Sequence, residues 1–498
     1  MATAARIFQN FIGGKWVDAA GGENFESLSP ATGEAIGVFP RSGPEDVDRA
    51  VAAAKDAYAS WRLVPAPKRG EIVFRFAALV AQHKQELAEL MTREMGKVLA
   101  EAGGDVQEAI DMSYYMAGEG RRLSGQTTPS ELPDKFNMSM RMPIGVVGVI
   151  TPWNFPIAIP SWKIVPALVC GNTVVFKPAN DTPALGERFV ELLEEAGVPA
   201  GVVNVVHGFG KDVGDRIVRH PDVPVITLTG SRETGVAVLK AAADNLKHVH
   251  LELGGKNGII VMDDADLDLA VEGILWSAFG TSGQRCTAAS RVIAHEHVYD
   301  RLAARLVEAA EQMRLGPGWE EETDVGPVIN RKAVDKIHSY TEIGKAEGAD
   351  LLTGGEVATG NGLDRGFFYR PTIFGTVDPQ MRIAQEEIFG PTTALIKVRD
   401  FEEAVRVANG VRFGLSSAIF TRDVNRAFRA MRDLEAGITY VNAGTIGAEV
   451  HLPFGGTKDT GNGHREAGQA ALDVFTEWKS VYVDYSGKLQ KAQIDTTE

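Results

Sequence analysis

Cys286 is one of two cysteines in 498 residues, and it lies in the segment GTSGQRCTAAS, residues 280–290. Every neighbour there except Gln284 and Arg285 is small. A thiol needs its thiolate form to act as a nucleophile, and positive or dipolar surroundings favour that form. Arg285 stands next to it in sequence. Glu252, in LELGG, ends an apolar run, where a carboxylate is costly to bury without a partner or a task. Gly254 and Gly255 after it permit close backbone approach. Asn154, in TPWNFP, offers a side-chain amide that can hold an oxyanion together with a backbone N–H.

A second group suits a dinucleotide. Lys177 and Asn180 in FKPAN follow a strand, where ribose and phosphate would sit. Gly210 and Gly214 in HGFGKDVG, and Gly230 and Ser231 in LTGSRETG, open helices whose first N–H groups suit phosphate. Glu387 and Phe389 lie in QEEIFGP, before a Gly-Pro turn. Taken singly, each residue has an ordinary reading: a small buried cysteine, a strand-end glutamate in solvent, an Asx-turn asparagine, a solvated lysine, a capped loop. The glycine spacing is not G-x-G-x-x-G. Cys170, on an apolar helix before Gly171, reads as a core cysteine, and Glu108 in VQEAID as a helix-surface glutamate.

The elements that must position these residues are regular. NFIGGKWVDAAGG reads as a hairpin with Gly turns. Apolar spacing predicts a helix over 44–61 and a longer helical stretch from about 67 to 121. FNMSMRM, 136–142, alternates as a strand with one buried face. From Val146 to Gly254, five apolar strands (VVGVI, TVVF, VVNVV, VITLTG, HVHLELG) alternate with helices. One of these is 211–220; another has Thr182 as N-cap, Pro183 at N1 and Gly197 at its end. Such alternation predicts a parallel sheet covered on both faces. Ligands of such sheets bind at the carboxyl ends of the strands, and TPWN, KPAN, HGFG, TGS and ELGG all fall there. A second α/β region runs from about 256 to 454. TEWKSVYVDY, near the C-terminus, reads as a strand that pairs with 136–142 and projects an edge able to pair across subunits.

The composition, 44% hydrophobic and 23% charged, is that of a globular chain. The length suits roughly three domains of about 150 residues. No apolar run approaches the roughly 20 residues of a membrane span, and MATAARIFQN lacks the apolar stretch of a signal peptide. A net charge of −15 argues against nucleic acid and acidic membrane as partners. Two cysteines cannot build a disulfide framework, so a reducing, cytoplasmic setting is the default.

TPWNFP, KPAN, LTGSRETG, LELGGKN, GQRC, EEIFGP and PFGG, in this order and spacing, resemble the NAD(P)-dependent aldehyde dehydrogenase superfamily from about residue 8 to 485. Glu252 and Cys286 stand 34 positions apart, as the family pattern requires. The resemblance implies an α/β fold: a Rossmann-like dinucleotide-binding domain (1–125 and 143–254), an α/β catalytic domain (255–457), and a small β oligomerisation element with the C-terminal tail (126–142 and 458–498). It implies Cys286 as nucleophile, with Asn154 and the Cys286 N–H holding the oxyanion. Glu252 would be the general base that hydrolyses the thioester. Thr151, Trp153, Lys177, Asn180, Gly210, Gly214, Gly230, Ser231, Glu387 and Phe389 would bind the cofactor, and no metal is implied. Many NAD-preferring members carry glutamate where Asn180 stands; a neutral Asn would not repel a 2′-phosphate, so NAD and NADP both remain. TIGAEVHLPFGGTKDTGNGHREAG and GGDVQEAID are similar to members acting on aminoadipate, α-ketoglutarate and glutamate semialdehydes. Arg285 and the backbone near Gly444 and Thr445 would then anchor a distal carboxylate. A homodimer or homotetramer is implied.

Four other readings stand beside this one. A general-purpose enzyme for aliphatic and aromatic aldehydes differs only in substrate. A CoA-acylating relative typically lacks the glutamate found here as Glu252. A thiol esterase would need no nicotinamide. A non-catalytic structural or binding protein that keeps the fold has no evident use for Cys286, Glu252 and Asn154 together.

Overall fold

The computed structural model describes residues 6–494; the first five residues of MATAARIFQN and the last four of the expected C-terminal tail lie outside it. Two seven-stranded sheets organise the chain. The first has the order His248–Glu252, Val225–Thr229, Val146–Ile150, Thr173–Lys177, Val203–Val205, Asn10–Ile12, Lys15–Val17. Its first five strands are parallel. The N-terminal hairpin joins antiparallel at Val205↔Phe11. Helices cover both faces, so the central strands are buried and mainly apolar.

The second sheet runs Asp350–Thr353, Thr372–Gly375, Thr392–Val398, Ala289–His295, Asn257–Val261, Ser416–Phe420, Ile438–Val441, with only its first pair antiparallel. Lys135–Pro143 pairs antiparallel with Thr476–Asp484 along its whole length, as the alternation predicts. No residue of Lys135–Pro143 is fully buried, however, and Phe136 and Met140 are exposed. The buried face expected there is missing within one chain. A further three-stranded sheet, Arg6–Ile7, Ala35–Pro40 and Asn24–Leu28, has no counterpart in the sequence reading.

The long helical stretch is three helices, Ala66–Gln82, Lys84–Met95 and Leu99–Glu119. Gly96 ends the second in the left-handed region, with φ 95°; a Cβ there would lie 2.7 Å from Pro327 Cγ. The helix expected over 211–220 is a wide turn, Gly210–Gly214, followed by the short helix Asp215–Arg219. Thr182 does occupy the N-cap position of Pro183–Glu195, but its side chain caps nothing. Glu94 accepts from the amides of Ala184 and Leu185 instead. Cys170 is fully buried in the core.

Candidate active site

The strand Val146–Ile150 delivers Thr151–Phe155 to the carboxyl end of the first sheet. Thr151 N donates to the Lys177 carbonyl at 3.3 Å, tying two strand ends together. Trp153 meets Phe389 edge to face at 5.5 Å. Phe155 lies under Lys97 Nζ at 3.9 Å and faces the Arg285 guanidinium at 5.5 Å. Lys97 is itself buried against Asp105 at 2.9 Å, and Asp105 accepts from Ala158 N at 2.7 Å. Asn154, between Trp153 and Phe155, is thus pinned on both sides. It is 3% exposed, and its amide has no hydrogen bond among the described residues.

The loop before Cys286 is held against its own preference. Thr281 and Ser282 adopt positive φ, 53° and 54°, without being glycine. Glu101 makes that possible: both carboxylate oxygens accept from Thr281 N at 2.9 Å, and one from its hydroxyl at 3.2 Å. Ser282 Oγ donates to the Gly326 carbonyl at 2.8 Å. Gly283 continues the turn, and a Cβ there would lie 2.1 Å from the Gly390 carbonyl.

Arg285 is engaged by the loop and by the helix that carries Glu101. Its Nε donates to Thr281 Oγ1 at 2.8 Å, its Nη2 pairs with Glu101 at 3.2 Å, and its guanidinium lies over Trp276. Two of its three nitrogens are thus committed to the loop and to Glu101. Burial pushes the Cys286 thiol up to about 12, reinforced by the carboxylates of Glu252, Glu387, Glu108 and Glu466. Glu108 is not the surface glutamate of the sequence reading. It is partly buried, and burial together with Asp105 pushes its carboxyl up to about 8.

Glu252 is buried at the end of its strand, and neither oxygen has a hydrogen-bond partner among the described residues. The PFGG segment closes over it: a Cβ on Gly455 would lie 2.6 Å from its Oε1. Burial, then the charge of Glu466, holds the Glu252 carboxyl well above the ordinary range. Three residues on, the chain meets the Cys286 loop, because a Cβ on Gly255 would lie 2.5 Å from the Cys286 carbonyl.

Glu387 folds over the same strand end. It accepts from Gly255 N at 2.9 Å, and a Cβ on Gly254 would lie 2.3 Å from its Oε2. Lys177 Nζ donates to the Pro178 carbonyl at 2.8 Å and to Asn180 Oδ1 at 3.3 Å, and burial lowers its amine to about 8. Gly214 lies against the Lys177 side chain, while a Cβ on Gly210 would meet nothing within 4 Å. Gly230 N donates to the Glu252 carbonyl at 3.0 Å. Ser231 caps the helix Arg232–Ala243, accepting from Thr234 N at 3.2 Å.

Gly444 and Thr445 pack behind the Cys286 loop. Thr445 is fully buried; its N–H donates to Ser277 Oγ at 3.1 Å and its hydroxyl to the Thr287 carbonyl at 2.7 Å. Both its donors are used within the protein, which removes Thr445 as an anchor for a substrate carboxylate. A Cβ on Gly444 would lie 2.1 Å from Ser277 Oγ, so the glycine is needed for this packing.

Sequence reasoning passed over Glu101, Asp105, Phe155 and Asn257. Glu101, Asp105 and Glu108 recur at spacings of four and three along one helix, which puts them on one face. An acidic stripe on a helix with a buried apolar face was the available signal.

These features define an α/β protein with a half-buried cysteine and a buried carboxylate brought together at the strand ends. Residues 16–481 match the model of the aldehyde dehydrogenase family, and the chain belongs to that family, whose members oxidise aldehydes with NAD(P)+. The chain is 43% identical to an α-ketoglutaric semialdehyde dehydrogenase of Bacillus subtilis, covering 97% of this chain and 99% of that one. It is 40% identical to a glutarate-semialdehyde dehydrogenase of Pseudomonas putida, covering 95% and 98%. A crystal structure of betaine aldehyde dehydrogenase from Staphylococcus aureus in complex with NAD+ superposes with a TM-score of 0.95 at 35% identity, covering 97% of this chain and 95% of that one. Among the described residues, no helix is long and apolar enough to cross a membrane.

Proposed function

We propose that this chain oxidises a carboxylate-bearing semialdehyde to the dicarboxylic acid through a thioester on Cys286. The observation that carries the reading is the junction of Glu252 and Cys286: a buried, unpartnered carboxylate that acts electrostatically on the thiol, at a strand end in backbone contact with the nucleophile loop. Cys286 Sγ attacks the aldehyde carbon as the S–H bond breaks and its proton passes to solvent water. The Asn154 amide and the Cys286 N–H hold the oxyanion. Loss of hydride leaves the thioester. Water then adds to its carbonyl, giving a proton to Glu252; the C–S bond breaks, and the acid departs from the regenerated sulfur.

The residues present fit a dinucleotide. Lys177, the unpartnered buried Asn180 Nδ2 and the open backbone at Gly210 offer donors and room at the strand ends. Thr151, Trp153, Lys177, Asn180, Gly210, Gly214, Gly230, Ser231, Glu387 and Phe389 would hold it. When bound there, NAD(P)+ supplies the hydride acceptor. Asn180 carries no charge to repel a 2′-phosphate, so the site suits NAD or NADP.

The preference for a semialdehyde rests on Arg285, whose Nη1 makes no hydrogen bond among the described residues, and on the semialdehyde relatives. We assign the dinucleotide-binding domain to 1–125 and 143–254, the catalytic domain to 255–457, and the oligomerisation element and tail to 126–142 and 458–498. The half-covered sheet of Lys135–Pro143 and Thr476–Asp484 favours a homodimer or homotetramer. The absence of a disulfide framework favours a cytoplasmic setting.

A spectrophotometric panel tests the reading. It pairs aliphatic and aromatic aldehydes, and succinate, glutamate, α-ketoglutarate and aminoadipate semialdehydes, with NAD and NADP separately, without CoA. Preference for a carboxylated semialdehyde supports it. Equal use of plain aldehydes replaces it with a general aldehyde-oxidising enzyme.

A further inference from the structure

His250 precedes Glu252 by two residues on the strand His248–Glu252, so both side chains emerge on one face. Both are buried. His250 Nε2 lies 4.0 Å from Glu252 Oε1. On the other side of the ring, Nδ1 lies 3.1 Å from Thr227 Oγ1 and 3.6 Å from Glu466 Oε1. Thr227 is the register partner of His250 on the adjacent strand. Lys163 Nζ donates to Thr227 Oγ1 at 3.0 Å and is paired with Glu466. Lys163 comes from the helix Ala158–Cys170. Glu466, Arg465 and His464 come from the C-terminal segment, with the His464 ring 5.5 Å from that of His250. These are the charged and titratable groups around the imidazole, together with Glu252.

Nδ1 faces Thr227 Oγ1 and Glu466, and Nε2 faces Glu252. An ionised carboxylate only accepts and a hydroxyl both donates and accepts, so a hydrogen on Nδ1 finds an acceptor in Thr227 or Glu466 and turns the Nε2 lone pair to Glu252. Neither Nε2 nor either Glu252 oxygen has a hydrogen-bond partner among the described residues.

We propose that His250 is a positioning residue for Glu252: its Nε2 lone pair accepts the O–H of Glu252 once that carboxylate has taken a proton from the deacylating water. The proposal rests on the reading of Glu252 as general base. The water O–H bond breaks and the Glu252 O–H bond forms; His250 exchanges no proton and stays neutral. An acceptor placed there stabilises the protonated carboxyl and makes Glu252 a stronger base. Burial independently keeps the imidazole neutral, well below its ordinary range.

The test is stopped-flow measurement of reduced-cofactor formation across pH, on the full chain, for His250→Leu, His250→Gln and Glu252→Gln. The burst reports acylation and the later rate reports deacylation. His250→Leu is expected to keep the burst, to slow the later rate on the order of tenfold, and to move the acid limb of that rate to lower pH. His250→Gln, which keeps an acceptor oxygen and much of the ring's volume, is expected to recover part of both and serves if the Leu variant does not fold. If both His250 variants show the wild-type later rate and profile while Glu252→Gln stalls after its burst, the His250 proposal is overturned and the general base stands. If burst and later rate fall together with no movement of the acid limb, His250 is structural and the proposal is equally overturned. If Glu252→Gln turns over normally, the general-base reading itself fails.

Discussion

Asn257 holds the main chain of Cys286: its Nδ2 donates to the Cys286 carbonyl at 2.8 Å and to that of Ala288 at 2.9 Å, while its Oδ1 accepts from Ser416 N. The sequence reading took LELGGKN and GQRC as separate motifs. Asn257 and Gly255 make them one piece, because the segment that follows Glu252 also grips the backbone of Cys286.

The environment of Cys286 sets its behaviour with alkylating agents. Since burial and surrounding carboxylates push the thiol up to about 12, the thiolate fraction of the free protein stays small at neutral pH and rises with pH. Iodoacetamide modification should accelerate roughly tenfold per pH unit from 7 to 10, with no plateau near the ordinary cysteine value of about 8.5. Mass spectrometry should place the label on Cys286, with none on buried Cys170. A plateau near neutral pH would mean that an activating charge does reach the sulfur.

Glu101 should be as necessary to the nucleophile loop as any residue that touches substrate. Glu101→Gln removes the charge partner of Arg285 and one of the acceptors that hold Thr281 at positive φ. Losing one partner of a buried pair costs roughly 3 kcal/mol. Thermal unfolding should show a lowered midpoint, and turnover should fall although the side chain is not in the reaction path. An unchanged midpoint and rate would show that the loop holds its shape without this carboxylate.

Asn180→Glu should shift cofactor use toward NAD. The new carboxylate can keep the bond from Lys177 while repelling a 2′-phosphate, and each tenfold change in preference corresponds to about 1.4 kcal/mol. Comparing kcat/KM for NADP and NAD should show at least about a tenfold change in their ratio. Unchanged NADP use would remove Asn180 from the 2′ position.

Arg285→Gln should raise KM for carboxylated semialdehydes on the order of tenfold, the effect of losing a charged hydrogen bond worth roughly 1.5–3 kcal/mol. For plain aldehydes of similar length KM should change little. Because Arg285 also braces the loop through Thr281 and Glu101, the comparison between the two substrate classes carries the result. An equal rise for both would leave Arg285 as a brace only.

The parallel sheet was legible because its strands are covered on both faces and so read as apolar runs between amphipathic helices. The residues at the strand ends were legible because they interrupt those runs: Asn154, Lys177 and Glu252 are polar where the pattern calls for apolar or turn residues. The N-terminal hairpin and the pairing of 136–142 with the C-terminal strand followed from glycine turns and alternation. All of these are local signals, carried by neighbours in sequence.

Tertiary structure alone decided what surrounds those residues. Adjacency in sequence placed Arg285 beside Cys286, but the side chain turns to Glu101, which is 184 positions away. Glu108 reads in sequence as a helix-surface glutamate, yet the packing of its helix brings its charge to the thiol. The link from Glu252 through His250 and Thr227 to Lys163 and Glu466 joins two adjacent strands, a helix and the C-terminal segment. The protonation of a buried group depends on such through-space neighbours and on the loss of water, and neither is written in the spacing of residues along one strand.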